Sequence, residues 1–359
     1  MLTTPYVALD MDIMEKNITT MISGLSRNNI QHWPHIKTHK SVLLAKREQE
    51  LGAHGITCAK LSEAEIMVAG GITSILLACP LIGDDKCQRY AELARQISIR
   101  TIVDSLTGAR MLSRAAMRNN LIFDIDIAID SGTHREGCQP EQLLNFTRDV
   151  AALPGLYVKG VFTYAGIIYQ YHNEHDIREA ARKEAGLLIN SRNLLNSHGF
   201  KIEIMSGGST LSSFYADELN GISESRAGNF IFGDMNAINA GIYTARNCAL
   251  TVCATVISIP LPGYATIDAG TKSLTSDLSA TQGDYGLIKE YPDVVLVKLN
   301  EEHGYLRYDP EKTSLTIGEQ IHIIPNHCCV VTNLVDEICA FRNGEFSETI
   351  TVDARGKNY

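Results

Sequence analysis

The sequence predicts an α/β fold, a (β/α)8 TIM barrel followed by a C-terminal β domain, on three observations. Short apolar, β-branched runs alternate with longer segments of helical period about eight times between residues 30 and 232, the pattern of parallel strands with crossover helices. After about residue 243 the helical period fades, and strand-like runs separated by turn residues take over. The 359 residues, 45% of them hydrophobic, suffice for one large core or two smaller ones.

The elements follow in order. PYVALD precedes the first helix and is expected to pair with the β-rich part, so the division is drawn as a barrel over 12–242 and a β domain over 243–359, joined by strand 1–11. Barrel strands are read at IQHWPHI (30–36), GITCA (55–59), SILLAC (74–79), ISIRTIVD (97–104), FDIDIAID (123–130), YVKGVFTY (157–164), KIEIM (201–205) and ESRAGNFIF (224–232). Between most of them lie helices such as SEAEIMVAG, DDKCQRYAELARQ, LTGARMLSRAAMRN, PEQLLNFTRDVAAL and EHDIREAARKEAGLLINSRNLLNSHG. CALTVCATVISI, GYATIDAG, DVVLVKL, GYLRYD, TSLTIGEQIHIIP and EFSETITVDA supply the β domain.

A net charge of −9 removes the electrostatic case for nucleic acid or an anionic membrane and leaves a small molecule as partner. No apolar run reaches membrane length and no basic-then-apolar leader opens the chain, so a cytoplasmic protein is expected. The nine cysteines lack a framework spacing and are read as free thiols.

Barrel enzymes place their chemistry at the C-terminal ends of the strands, and QHWPHIKTHK sits at the first of these. If this stretch is extended, alternation directs His35, Lys37 and His39 to one face. A lysine aimed into a barrel mouth is partly desolvated and becomes a candidate for a Schiff base, with Lys40 as bystander. SGGST follows the seventh strand with two glycines and three hydroxyls, a turn whose N–H groups can approach a phosphate. RAGNFIFGD comes one unit later, and phosphate sites after strands 7 and 8 recur in barrels. In IPNHCCVV, His327 and Cys329 would share a face of a strand; imidazole with thiolate favours zinc, and the same spacing also suits a buried thiol beside a satisfied histidine.

PHIKTHK, DSGTHREG, SGGST, RAGNFIFGD, DAGTKSLTSD, EEHGYL and PNHCC, in this order, resemble the D-threonine aldolase and D-serine dehydratase family of alanine-racemase-fold (fold type III) pyridoxal phosphate enzymes, over nearly the whole chain. The resemblance implies a barrel that binds pyridoxal 5'-phosphate, a homodimer, and a D-amino acid substrate. It makes Lys37 the lysine that bears the cofactor. It gives Ser206, Gly207, Gly208, Ser209, Thr210, Gly228 and Asn229 the phosphate, and aligns Arg226 with the arginine that faces the pyridine nitrogen in alanine racemases. His35 and Tyr164 then fall beside the cofactor, and Arg135 either reaches its phenolic oxygen or pairs with a nearby acid. His327 and Cys329 match the ligands of a divalent metal, Zn²⁺ or Mn²⁺.

Two details bear on the reaction that the resemblance implies. Cysteine in the second metal position is what zinc-using dehydratases carry, and Ile167 stands where family members often have a polar residue that serves an aldolase as base. Tyr164, Tyr169, His172 and His175 are the substitutes at hand. The reading leans to dehydration of D-serine or D-threonine to an oxoacid and ammonia. The alternative is retro-aldol cleavage to glycine and an aldehyde, ahead of a racemase, which would have no task for the metal. Asp268, Lys272 and Asp277 are read as structural, and Glu301 to Gly304 as a brace for the metal or an exposed turn.

Overall fold

The structure is a computed structural model that describes residues 2–279 and 283–359. Its contacts divide the chain into two compact units: Thr20–Lys37, Leu44–Gly228 and Gly356–Tyr359 form one, and Met1–Thr19, Thr38–Leu43 and Asn229–Arg355 the other. The first holds the eight parallel strands and the second the nine-stranded sheet. Residues 229–242 group with the β unit because Asp234 binds there, its Oδ2 accepting from Cys328 N–H at 3.1 Å.

In chain order the elements are β1 (Tyr6–Asp10), α1 (Met11–Arg27), β2 (Gln31–His32), α2 (Val42–Glu50), β3 (Ile56–Cys58), α3 (Leu61–Ala69), β4 (Ser74–Pro80), α4 (Asp84–Ala94), β5 (Ser98–Val103) and α5 (Leu106–Asn119). There follow β6 (Phe123–Ile129), α6 (Leu143–Ala151), β7 (Leu156–Thr163), α7 (Glu174–Ser197), β8 (Ile204–Gly207), α8 (Thr210–Phe214) and β9 (Glu224–Ser225). The helices start and stop where side chains satisfy their ends. Ser105 Oγ accepts from Gly108 N–H to open α5, Asn120 closes it at φ 53°, and Asn173 opens α7 by accepting from Asp176 N–H at 3.0 Å.

Eight parallel strands form the barrel sheet in the order β2-β9-β8-β7-β6-β5-β4-β3. Its edges meet through a parallel bridge between His35 and Thr57, with Thr57 N–H donating to Pro34 O at 2.8 Å. Leu76, Ile102, Ala128 and Phe162 fill the interior, with Trp33, Ala78 and Tyr164 packed against them. Deeper charge is also inside: Arg100 lies 4.8 Å from the Trp33 ring, donates to Asp126 Oδ2 at 2.9 Å and pairs with Glu224. Burial raises the Asp126 carboxyl to about 6 even though the Arg100 charge opposes it.

Trp33 fits only because residue 55 has no side chain. A Cβ there would lie 2.4 Å from Trp33 Cζ3. Gly55→Ala is therefore expected to destabilise the protein by about 1–3 kcal/mol, seen as a lower urea midpoint at constant slope. A midpoint equal to the wild type's would refute this packing account.

The β unit adds a nine-stranded sheet built from β1 and eight later strands. These are β10 (Leu250–Leu261), β11 (Tyr264–Ile267), β12 (Gly286–Ile288), β13 (Val295–Leu299), β14 (Gly304–Arg307), β15 (Gln320–Pro325), β16 (Glu337–Arg342) and β17 (Glu345–Thr351). The order is β11-β14-β13-β12-β15-β10-β1-β16-β17. β1 runs antiparallel to β10, Tyr6 opposite Cys253, and parallel to β16, Ala8 opposite Cys339. Asp268 is structural, accepting from Thr4 Oγ1 at 2.6 Å and Thr255 N–H at 2.7 Å. Glu301 and Glu302 are exposed and paired with Lys272, while Gly304 is buried at the start of β14.

Candidate active site

In the barrel unit, Lys37 stands on a 3₁₀ turn, Ile36–Thr38, and not on a strand. The strand ends at His32, Pro34 has no N–H to give a neighbour, and His35 makes the last bridge before the chain turns. The expected common face of His35, Lys37 and His39 is thereby corrected. Lys37 is exposed rather than desolvated, whereas His39 and Lys40 are buried, and Lys40 adopts φ 52°. Lys37 N–H lies 3.5 Å from His35 Nδ1. Burial, then the charges of Lys37, Arg226 and Arg135, hold the His35 imidazole well below its usual range, which makes it a neutral ring among three cations.

Arg226, at the end of β9, is 5% exposed. Its guanidinium donates to Ser206 Oγ at 2.7 Å and to Thr163 O at 2.5 Å and lies 3.8 Å from the Phe162 ring. Burial lowers it to about 10, opposed by the carboxylates of Glu184, Glu224 and Asp126. Arg135 pairs with Glu136 and covers the Tyr164 ring at 4.4 Å. Tyr164 O in turn accepts from Ser131 Oγ at 2.8 Å and Thr133 Oγ1 at 3.0 Å.

The SGGST turn differs from its expected use in one respect. Two of its N–H groups are committed within the protein, Gly208 to Glu184 Oε1 at 2.8 Å and Ser209 to Ser212 Oγ at 2.9 Å. Ser209 caps α8, and Thr210 begins it. Gly208 sits at φ +77°, where a Cβ would meet Ser225 Oγ at 2.6 Å. What this unit offers a cofactor is an accessible lysine amine, the hydroxyls of Ser206, Ser209 and Thr210, and a buried guanidinium. That donor set fits an aldehyde bearing a phosphate and a ring nitrogen.

In the β unit, β15 ends at Pro325, and His327 is the N-cap of a short helix, Cys328–Thr332. His327 and Cys329 therefore do not alternate along a strand as expected; the turn into the helix brings them side by side. Burial opposes a charged His327, but the Cys329 sulfur and the carboxylates of Asp234 and Asp277 outweigh it and raise the imidazole to about 9. Thr38 Oγ1 lies 3.3 Å from Cys329 Sγ, and Thr332 Oγ1 donates to Thr38 O at 2.6 Å. Asp234, fully buried, accepts from Asn229 Nδ2 at 2.8 Å as well as from Cys328 N–H, so it braces the segment that holds the pair. The Asn229 side chain is thus directed at Asp234 and Cys328. An imidazole and a thiol side by side, supported from behind, fit a divalent metal with open positions.

Among the described residues, His175, Asp176 and Glu179 are a cluster of three with ligand atoms within 4.8 Å of one another. They are largely committed elsewhere, the Asp176 carboxylate accepting from Asn173 Nδ2 at 2.8 Å and Glu179 pairing with Lys183 at 2.7 Å. His172 and His175 are exposed there. Sequence patterning had missed Thr38, Asp234, Glu184 and the Arg100 pairings.

The comparisons come from three directions. Residues 9–236 match the alanine racemase N-terminal domain, and residues 249–341 match a serine dehydratase domain. The chain is 30% identical to the D-threonine aldolase of Arthrobacter sp over 98% of its length and 93% of that protein's. It is 31% identical to the D-threo-3-hydroxyaspartate dehydratase of Delftia sp., covering 91% of each. The crystal structure of D-threonine aldolase from Filomicrobium marinum superposes with a TM-score of 0.92 at 29% identity, over 100% of this chain and 97% of that one. Solved variants of D-threo-3-hydroxyaspartate dehydratase include a histidine-to-alanine change and, in metal-free form, a cysteine-to-alanine change two positions further on.

Proposed function

Since the chain belongs to the alanine-racemase-fold family of D-threonine aldolases and D-serine dehydratases, lyases of D-β-hydroxy-α-amino acids, we propose that it is a pyridoxal phosphate and metal-dependent D-β-hydroxy-amino acid dehydratase, with D-serine or D-threonine as substrate. One observation carries the choice. Cys329 lies beside His327 with the same two-residue spacing as the histidine and cysteine altered in the dehydratase variants.

Bound pyridoxal phosphate supplies an electron sink for the substrate α-carbon. Lys37 would hold that cofactor through its exposed amine and would be the base placed to take the substrate α-proton on Nζ. Arg226, locked by Ser206 and Thr163, would serve the ring nitrogen, and the hydroxyls of Ser209 and Thr210 with Gly228 and the backbone of Asn229 would serve the phosphate. Neutral His35 and Tyr164, the latter capped by Arg135, would contact the cofactor. His327 and Cys329 would hold Zn²⁺ or Mn²⁺, which would supply Lewis acidity for loss of the β-hydroxyl. Retro-aldol cleavage instead needs a base at the β-hydroxyl. Residue 167 is isoleucine, and His172 and His175 are exposed at the start of α7, which favours dehydration. The working unit is taken to be a cytoplasmic homodimer.

The protein loaded with pyridoxal phosphate and Zn²⁺, or with Mn²⁺, is to be given D-serine, D-threonine and D-threo-3-hydroxyaspartate. Oxoacid and ammonia are expected in equal amounts, with little glycine. Glycine as the main product would make it an aldolase.

A further inference from the structure

α7 carries an acid on its apolar face. Ile177, Ala180, Ala181, Glu184, Ala185 and Leu188 are all buried, and Glu184 is 2% exposed. Its Oε1 accepts from Gly208 N–H at 2.8 Å, and its Oε2 is buried with no hydrogen-bond partner. The loop sits directly on this residue: a Cβ at Gly207 would lie 3.4 Å from Glu184 Oε1 and 2.8 Å from Leu188 Cδ1. Burial raises the carboxyl above its usual range, while the Gly208 hydrogen bond and the Arg226 charge oppose the rise. One side of Glu184 lines a cleft of about 570 Å³ behind residues 165–171, shared with Ile167, Tyr171 and Lys183.

A buried carboxyl on a largely apolar stripe costs stability unless it serves something. The groups that act on it are Gly208 in the left-handed turn after β8, the Arg226 guanidinium after β9, the Ser212 hydroxyl and the Ala165 backbone. We propose that Glu184 is a positioning residue for the cofactor's phosphate end, its carboxyl pinning Gly208 N–H so that the turn carrying Ser209 and Thr210 keeps one conformation. This rests on the cofactor reading given under Proposed function. Glu184 touches neither phosphate nor substrate; it acts through Gly208.

The test uses two ligands that differ only in the phosphate. Apo-protein is titrated with pyridoxal phosphate and with pyridoxal, for the wild type, Glu184→Met and Glu184→Gln, each first checked for an unchanged circular dichroism spectrum. Glu184→Met fills the space without an acceptor and is expected to weaken pyridoxal phosphate at least about tenfold while leaving pyridoxal within about twofold. Glu184→Gln keeps an acceptor and is expected to restore the wild-type ratio. Equal losses for both ligands, or no loss for either, would overturn the assignment. If Glu184→Met does not fold, amide exchange at Gly208 in the wild type decides: slow exchange is expected, and exchange at the rate of an open loop refutes the bond. A wild type that binds neither ligand removes the cofactor reading and this inference together, whereas wild-type binding with an unaffected Met variant removes the inference alone.

Discussion

Lys37→Ala is expected to abolish visible absorbance and turnover together, with turnover falling on the order of a thousandfold or more. The residue supplies two functions in the proposed cycle, attachment of the cofactor and proton transfer at the α-carbon, and a methyl group supplies neither. The fold should not notice. Lys37 is exposed, and the contact shown for it is made by its backbone, so the urea midpoint should stay close to the wild type's. Lys40 is the natural control, three residues on, buried, and in a left-handed conformation. Lys40→Ala should lose stability and keep the band. A band that survives Lys37→Ala and disappears in Lys40→Ala would move the attachment point and with it the orientation of the whole site.

The second large effect is expected from Cys329→Ala. With two protein ligands, removing the sulfur leaves a single imidazole, so metal content should fall from stoichiometric to near none and dehydration by on the order of 10²- to 10³-fold. Chelator should do the same to the wild type, with Zn²⁺ restoring it. Cys328→Ala separates the neighbouring thiols: Cys328 faces Asn229 and is buried, so its loss should cost stability and spare the metal. Activity that persists in Cys329→Ala and ignores chelator, with D- and L-amino acids interconverted, would establish a racemase instead.

The sequence showed the eight barrel strands because β-branched runs alternated with helical period, and their order needed no further information. It misplaced the ends of those strands. IQHWPHI looks extended from residue 30 to 36, yet Pro34 and the bridge at His35 stop the sheet, and the lysine falls on a turn. Period-two reasoning failed at His327 and Cys329 for a related reason, since a strand that ends at Pro325 hands its next residues to a helix cap. Gly286–Ile288 is too short to show a pattern, and Glu337–Arg342 begins on a charge and was passed over. Long-range partners were out of reach: nothing near Asn229 or Asp234 announces Cys328, 94 residues beyond Asp234. Glu184 left one legible trace, an acid spaced three or four residues from Ala180, Ala181 and Leu188 on a helix largely apolar along that line.

The placement of β1 between β10 and β16 sets a timetable for synthesis. Tyr6 pairs with Cys253 and Ala8 with Cys339, so the strand is made long before either neighbour exists. At roughly 5–20 residues per second, the ribosome needs on the order of 12–50 s to deliver the first of them. Val7 and Leu9, buried in the finished protein, are meanwhile an unpaired sticky segment on a nascent chain. The barrel residues emerge in that interval and can condense first, while the N-terminal strand stays without its β10 neighbour until residue 253 arrives.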